Sequence, residues 1–255
     1  MRVRRRMPMR RGCLAGIFPY LLIAATLPPA KDFWRESDYH KWSAGECETL
    51  IERSPWAHPH TLTGLLIPAP MSRTGGIAVD RETRIGGGFD PGDRETHLVL
   101  QMRFLAAKPV RAAIGRMRLL RNPGDENLKR EVEAYVGRED PAEIVVELTW
   151  FSRPPGHSSL REIEAFFRDA TLDYLRTRCY LSSSETGTHV PLAGYVGPAQ
   201  GYPGALLTFP RFDEKGEPFF SGTERTILLR LEARFGTIEQ TFSPRRMFWD
   251  GGFTI

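Results

Sequence analysis

Histidines are the residues of this chain whose spacing comes closest to a metal site. His58 and His60 lie two residues apart across Pro59, with His40 upstream, so their imidazoles could reach one ion from an extended loop. No cysteine lies nearby, and no residue can be identified that would orient the rings. Solvated loop histidines account for the same pattern, and we therefore predict no metal site.

Two groups of serines lie close to a histidine in the sequence. Ser158 and Ser159 follow His157, and residues 182–184 are serines that precede His189. Neither group has the Gly-x-Ser-x-Gly elbow of a nucleophilic serine, and Ser159 has the position of a helix cap, three residues before Glu162. A triad is assembled by geometry rather than by sequence proximity. We therefore predict no catalytic residue.

Glycines and aspartates in one loop-rich stretch could serve a phosphate or a calcium ion. The glycines at 86–88 would let a backbone approach a phosphate, but no Gly-Lys-Ser or Gly-Lys-Thr follows them. Asp80, Asp90 and Asp93 could bind calcium only if the loop presented several oxygens at once, and their spacing fits no calcium loop. The sequence predicts no cofactor.

Arginines and tyrosines offer two further candidate binding surfaces. Four arginines of one predicted helix could receive an anionic partner: Arg111, Arg116, Arg118 and Arg121. Arginines near a helix C-terminus also favour the helix dipole and need no ligand. Tyr195 and Tyr202, around the turn-rich residues 197–204, could line a groove that stacks a sugar, or a loop that covers the core.

The first thirty residues have the layout of an export signal. Six arginines and no acidic residue precede an apolar run at 13–27, which is shorter than the roughly 20 residues that span a bilayer. Pro19 interrupts this run, and Ala30 offers a small residue for cleavage. We predict a signal peptide at 1–30 that is removed, which leaves no stable membrane span and a protein that is periplasmic or secreted.

Removal of this segment changes the charge of the chain. It takes away six basic side chains and no acidic one, so 35 basic and 31 acidic residues become 29 and 31, and the formal net charge moves from +4 to −2. A chain this close to neutral lacks the field that attracts polyphosphate, and we predict no nucleic-acid partner. About 225 residues remain, enough for one large domain.

The cysteines leave two alternatives open. Cys13 lies before the apolar run, whereas a lipid-anchored precursor carries its cysteine after it, so we predict no lipidation. Cys47 and Cys179 could form a disulfide in an oxidising compartment. Their sequence spacing does not show that their Cα atoms are close enough, and two small buried hydrophobic side chains are the alternative.

Residues 31–57 are predicted to form an N-terminal helical brace. Ser43 and Glu46 have the spacing of a capping box, and Trp42 and Cys47 have the positions of a hydrophobic staple. The helix is expected over 43–53, because the Ser-Pro step that follows disfavours helical geometry.

Hydrophobic spacing predicts the remaining elements. Residues 58–96 are rich in glycine and proline and predict an irregular connection, with a candidate strand at 75–79. Helical spacing predicts three further helices at 109–121, 125–136 and 159–176, the last being the longest. Alternation predicts strands at 97–105, 143–151, 178–181, 189–196, 205–210, 223–235, 238–242, 246–248 and 253–255. The fold expected for 31–255 is a single α+β domain, an antiparallel sheet of six or more strands packed by three to four helices.

Three separated pieces resemble a family of uncharacterised exported bacterial proteins. The first piece is similar to the short helix of that family, closed by Ser-Pro-Trp-Ala: Trp42, Ser43, Glu46, Leu50 and Ser54-Pro55-Trp56-Ala57. The second is a strand-to-helix junction: Arg103, Phe104, Ala107, Pro109 and Val110. The third is the closing strand pair: Phe242, Met247, Gly251 and Phe253-Thr254-Ile255.

The resemblance implies export and a shared fold, because the family has no assigned reaction, ligand or catalytic residue. Phe104 stands where family members have tryptophan, Ala106 where they have serine, and Lys108 where they have an apolar residue, which indicates a divergent member.

The sequence therefore predicts an exported, non-catalytic module that binds or scaffolds a protein or glycan of the bacterial cell envelope. The alternative is an envelope hydrolase whose site is assembled from distant residues, such as His97 or His189 with a carboxylate from residues 90–95.

Overall fold

The computed structural model describes residues 32–35, 37–62, 97–138, 141–153, 155, 159–199 and 202–255. The predicted signal peptide, the candidate strand at 75–79, the glycines at 86–88 and the aspartates at 80, 90 and 93 lie outside these ranges. The chain divides into two units, Met1–Phe33 and Trp34–Ile255, and every helix and strand named below belongs to the second. No helix among the described residues is long and apolar enough to cross a membrane.

The second unit contains five α-helices and eleven strands within the described ranges. The helices are α1 (Ala44–Glu52), α2 (Lys108–Arg121), α3 (Glu126–Gly137), α4 (Ser159–Asp169) and α5 (Leu172–Arg176). The strands are β1 (Ala57–Leu62), β2 (His97–Phe104), β3 (Glu143–Arg153), β4 (Cys179–Ser183), β5 (Thr188–Pro191), β6 (Gly194–Val196), β7 (Ala205–Pro210), β8 (Ile227–Ala233), β9 (Gly236–Phe242), β10 (Phe248–Trp249) and β11 (Gly252–Phe253). Short 3₁₀ helices lie at Tyr39–Lys41 and Pro244–Arg246.

The predicted α+β class with antiparallel pairing is confirmed, but the strands are divided among sheets. A five-stranded sheet has the order β1-β2-β3-β7-β6, a four-stranded sheet the order β5-β4-β8-β9, and β10 pairs with β11. The chain changes sheet at two adjacent residues: the Leu192 N–H donates to Cys179 O at 3.2 Å, and the Ala193 N–H donates to Thr208 O at 2.8 Å. The single strand predicted at 189–196 is therefore two strands, β5 and β6.

One strand lies in the region that was predicted to be an irregular connection. β1 pairs with β2 in register from Ala57 opposite Arg103 to Leu62 opposite Leu98. Pro59 lies inside β1, where it removes one backbone donor. An edge strand tolerates this loss because one side of it has no neighbouring strand, and β1 is at the edge of its sheet.

Local capping signals set the start of α1 as predicted. Ser43 Oγ accepts from the Glu46 N–H at 3.3 Å, and Glu46 Oε2 accepts from the Ser43 N–H at 2.8 Å, which completes the capping box. Trp42 and Cys47, the two positions of the predicted staple, are both buried.

The helix predicted at 159–176 is wrong as a single element. It ends at Asp169, and Thr171 caps a second helix, α5, by accepting from the Tyr174 N–H at 3.3 Å. Among the described helices, α2 is consequently the longest. Ser159 is the first residue of α4 rather than the cap before it.

The core lies against the central strands of the five-stranded sheet. β2 carries buried side chains on both faces, among them Leu100 on one and Gln101 on the other. Phe104 of β2 contacts Phe242 of β9 edge to face, with ring centroids 4.7 Å apart. Gln101 Nε2 donates to Glu52 O at 2.9 Å, so α1 covers the opposite face.

Candidate functional site

The three pieces that resemble the exported family are bonded to one another in the structure. The Trp56 indole N–H donates to Thr254 O at 2.7 Å, which ties the Ser-Pro-Trp-Ala segment to the closing strand pair. The Phe104 N–H donates to Trp56 O at 2.9 Å, which ties it to the strand-to-helix junction. Residues as much as 198 positions apart therefore build one local structure.

Tryptophans hold this structure together. The ring of Trp42 lies 5.9 Å from that of Trp249, and its indole N–H donates to Ser37 Oγ at 2.9 Å. Arg116 of α2 donates from Nε to Trp42 O at 2.9 Å. Lys108, the first residue of α2, places its ammonium 5.8 Å from the Trp249 ring centroid. Trp42, which lies just before α1, and Lys108, the first residue of α2, thus both contact the ring of Trp249 and hold it in position.

A tight hairpin presents Trp249 and the next residue. Trp249 pairs with Gly252, so Asp250 and Gly251 form a two-residue turn. Both have positive φ, 52° and 77°, as a type I′ turn requires and as the Asp-Gly pair favours.

A recess of about 470 Å³ opens beside this hairpin, and we name it the tryptophan cavity. Its described lining consists of three aromatic residues, ionisable residues of both signs and a few small ones: Trp34, Arg35, Ser37, Asp38, Tyr39, Lys108, Glu133, Val136, Gly137, Trp249 and Asp250. Small-molecule sites in proteins have volumes of roughly 300–1,000 Å³. The recess lies within this range, and most of its lining residues are polar or charged.

Two carboxylates of the cavity lining, Asp38 and Glu133, flank the neighbouring His40. His40 Nδ1 lies 2.8 Å from Asp38 Oδ1, and His40 Nε2 lies 3.9 Å from Glu133 Oε1. Hydrogen bonds from the His40 N–H and ring lower the pKa of Asp38. Burial, with Glu133 and Asp38 nearby, raises the pKa of Tyr39. At neutral pH the lining therefore offers an ionised carboxylate as acceptor and a neutral phenol as donor.

The histidines that were weighed for a metal are not gathered into a site. His58 lies on β1 and packs against Phe242 at 5.2 Å between ring centroids, and burial lowers its pKa. His60 follows on the same strand. Within the described residues, no group of three or more His, Cys, Asp or Glu side chains could hold a metal ion.

The residues weighed for catalysis occupy ordinary structural positions where they are described. His189 on β5 is exposed, and its ring lies 4.4 Å from that of Tyr180. Ser182 is its cross-strand neighbour. His157, Ser158 and the loop at 90–95 lie outside the described residues, as does the side chain of His97.

Three of the four arginines weighed as a binding surface, Arg111, Arg116 and Arg118, and both tyrosines have intramolecular partners. Arg111 is buried and donates to Arg138 O at 3.1 Å, and Arg118 lies 3.9 Å from Glu131. The Tyr202 hydroxyl donates to Glu147 Oε1 at 2.8 Å. The Tyr195 hydroxyl donates to the carbonyl oxygen of Phe167.

Both cysteines of the second unit are free thiols in the structure. Cys47 lies on α1 and Cys179 on β4, and both are fully buried. Burial raises the pKa of Cys47 from 9.0 to about 11 and raises that of Cys179 as well.

Two other recesses have fewer kinds of polar side chain in their linings than the tryptophan cavity has. One of about 360 Å³ lies between α4 and α5 and is lined by Phe166, Asp169, Ala170, Thr171, Tyr174 and Arg234. Another of about 460 Å³ lies beside β1 and β9 and includes His60, Arg230 and Glu239. In the second, Arg230 is already paired with Glu239 at 2.7 Å and with Glu232 at 2.9 Å.

Sequence reasoning missed the lining of the tryptophan cavity. Tyr39, Glu133 and Trp249 are distant in sequence and form no motif. Two signals could have been used. The Asp250-Gly251 pair indicates a hairpin that ends in Trp249, and Pro109 in the first turn of α2 fixes the position of Lys108 at the start of that helix.

Comparison with known proteins adds little. No protein-family model matches the chain, and no curated protein matches it. Among solved structures, the chain is similar to the crystal structure of a protein of unknown function from Burkholderia pseudomallei K96243, with 12% sequence identity and a TM-score of 0.38. The similarity covers 57% of this chain and 74% of the other. A likeness at this level carries no functional argument.

Proposed function

We propose that the protein is an exported module of the bacterial cell envelope, that it binds its partner without catalysing a reaction, and that the tryptophan cavity is its binding site. The cavity supports this proposal because its rings are held in place before any partner arrives. A site whose side chains are already ordered loses less conformational entropy on binding.

The observation that carries the proposal is the combination of aromatic surface with donors and acceptors in one recess. Trp249 and Tyr39 are partly exposed, and the lining adds two cations, Arg35 and Lys108, to three carboxylates, Asp38, Glu133 and Asp250. Convergent polar and charged groups beside aromatic rings can orient a ligand and give it specificity.

Export and family membership are part of the same proposal. The arginine-rich head and short apolar run at 1–30 support export. The three pieces that resemble the exported family support membership, and the hydrogen bonds that join the first piece to the second and to the third give a physical reason for their occurring together.

Cell fractionation tests export. The full gene is expressed in a bacterial host, and the product is located and its N-terminus determined by mass spectrometry. We expect a periplasmic or secreted product that begins near residue 31. Full-length protein in the cytosol, with the arginine head attached, would contradict export.

Capture from an envelope extract tests binding at the cavity. The exported protein and two variants, Trp249→Ala and Phe212→Ala, are immobilised and the bound components are quantified. Phe212 is 42% exposed and lies outside the cavity lining, so it is a matched control for loss of an aromatic side chain. We expect Trp249→Ala to lose the captured component while Phe212→Ala retains it. Equal capture by all three proteins would show that the captured component does not bind at the tryptophan cavity.

A hydrolase is the second candidate, and the Asp38–His40 contact favours it. A carboxylate that orients an imidazole is one element of general-base catalysis, and Glu133 reaches the same ring from α3. The three side chains are 42–52% exposed, whereas a catalytic pair is usually shielded from water. His40→Gln distinguishes the candidates, because it would abolish hydrolysis by such a site and leave binding in place.

A further inference from the structure

We propose that the ligand of the tryptophan cavity is a sugar ring that carries an acetamido group. This inference rests on the proposed binding function and adds the chemical class of the ligand.

The aromatic side chains favour a flat ligand with an apolar face. Trp249 is held by Trp42 at 5.9 Å between ring centroids, and Tyr39 lies 6.4 Å from Trp42 and 3.9 Å from His40. These contacts fix both rings at the cavity. One face of a pyranose ring is a layer of C–H groups, which packs on an aromatic ring with little loss of side-chain entropy.

The charges favour a ligand that is neutral but rich in donors and acceptors. Three carboxylates at the lining, Asp38, Glu133 and Asp250, would repel a phosphate or a nucleic acid. Lys108 and Arg35 would repel a polyamine. Sugar hydroxyls and an amide N–H can donate to the carboxylates, and an amide carbonyl can accept from either cation.

The acetamido group accounts for one more part of the lining. Val136 is buried and supplies an apolar spot at the cavity, close in sequence to the Glu133 carboxylate on α3. An acetamido group has an N–H, a carbonyl and a methyl within a few ångströms, which matches a carboxylate, a cation and an apolar side chain together. A hydroxyl at the same position of the sugar has no methyl group that could contact Val136.

A peptide also carries amides, but its usual binding modes need a different surface. Extended peptides add to a sheet edge or lie along a groove. The tryptophan cavity is a local recess between the 3₁₀ helix at Tyr39–Lys41, α2, α3 and the β10–β11 hairpin. A ring fits such a recess better than an extended chain does.

Calorimetric titration with two trisaccharides tests the inference. The probes are the β-1,4-linked trimer of N-acetylglucosamine and the β-1,4-linked trimer of glucose, which differ only in the acetamido group. We expect the first to bind and the second to bind roughly tenfold more weakly or worse, because the site's polar groups then lack partners.

Three variants locate the binding. Trp249→Ala removes the ring, and Glu133→Gln removes a carboxylate from an exposed position of α3, 3.9 Å from His40. Both are expected to weaken binding of the acetylated trimer by roughly tenfold or more. Glu131→Gln is the control, because Glu131 lies on the same helix outside the cavity lining. It is expected to bind as the unaltered protein does.

The outcomes separate this inference from the proposed function. Loss of binding in Trp249→Ala and Glu133→Gln but not in Glu131→Gln supports the inference. Binding that survives both cavity variants, or equal binding of the two trimers, overturns it. If neither trimer binds but the envelope extract still yields a component lost with Trp249→Ala, the inference fails and the proposed function stands. If that capture also fails, both are wrong.

Discussion

The four-stranded sheet and the region around the tryptophan cavity are built in different ways. In the sheet, β4 pairs with β5 and β8 with β9, each across a short turn, and the alternating side chains of β8 bury Ile227, Leu229 and Leu231. Around the cavity, side-chain to backbone hydrogen bonds and ring contacts join distant segments, such as Trp56 to Thr254.

The two regions therefore place different demands on the sequence. A sheet of alternating residues buries apolar area and needs no particular partner for each side chain. The cavity region depends on specific pairs, and those pairs leave Trp249 and Tyr39 partly exposed beside charged groups. Ordered aromatic side chains that remain partly exposed are typical of binding surfaces.

The largest expected effect comes from Trp56. Trp56→Ala should lower the free energy of unfolding by about 3–5 kcal/mol, because a fully buried ring and its hydrogen bond are lost. Leu229→Ala in the four-stranded sheet should cost about 2–5 kcal/mol by the cavity it leaves. Denaturant titration at neutral pH measures both losses.

Combining these substitutions sharpens the comparison. Trp34 contacts Trp56 edge to face, with ring centroids 5.8 Å apart, so Trp34→Ala and Trp56→Ala should be non-additive by roughly 0.5–3 kcal/mol. Trp56→Ala and Leu229→Ala should add. Additivity of the two tryptophan substitutions would show that the cavity region is not a coupled unit.

The next largest effect comes from Gly115, which lies on α2 where this helix packs against α3. A Cβ at Gly115 would lie 2.6 Å from Val132 Cγ1, so Gly115→Ala should cost about 1–3 kcal/mol and shift the two helices that carry Lys108 and Glu133. Thermal unfolding measures the change. Gly45→Ala on α1 is the control, because nothing lies within 4 Å of its added Cβ, and it should leave stability unchanged or raise it by up to about 1 kcal/mol. Similar losses for both would contradict close packing at Gly115.

How much of this the sequence predicts depends on the range of the interaction. Alternation within β8 and the capping box of α1 are local, and both were predicted. β1 was missed because Pro59 is tolerated only at a sheet edge, and edge position is a property of the whole sheet. The change of sheet at Leu192 and Ala193 was missed for the same reason, since apolar residues continue on both sides of it.

The cavity lining was the hardest part to predict. Its residues come from distant segments of the chain, and their meeting depends on Trp42, whose partners Ser37 and Trp249 lie on opposite sides of it in the sequence. A family resemblance marked the supporting residues, such as Trp56, but not the lining residues Tyr39 and Glu133, because residues that hold a fold together and residues that line a recess follow different physical constraints.

A smaller effect is the pH dependence of the two buried thiols. Cys47 lies on α1 and Cys179 on β4 of the four-stranded sheet, so their titration compares the two regions. The pKa of Cys47 is raised to about 11 from 9.0, so the folded state favours its protonated thiol. The resulting stability is present below pH 9 and is lost as pH rises toward 11. Iodoacetamide labelling with peptide mapping should find both thiols unreactive at pH 7 when folded and reactive when unfolded, with Cys47 reacting before Cys179 as pH rises. A linked pair of peptides without reductant would show a disulfide instead.

The smallest effect belongs to Asp38. Because hydrogen bonds from His40 lower its pKa below 3.8, the ionised carboxylate favours the folded state above that pH, and this contribution is lost as pH falls through the lowered value. Asp38→Asn should therefore be less stable than the unaltered protein at pH 7 and equal to it in strong acid. A difference that persists unchanged into strong acid would show that the charge of Asp38 is not involved.

Photo-crosslinking in living cells tests the proposed binding at the tryptophan cavity most directly. A benzophenone amino acid is placed at Tyr39, on the cavity wall, or at Phe212, an exposed aromatic outside it. After irradiation, we predict an envelope adduct at position 39, lost with Trp249→Ala, and no such adduct at position 212. Adducts at both positions alike, or at neither, would contradict binding at the tryptophan cavity.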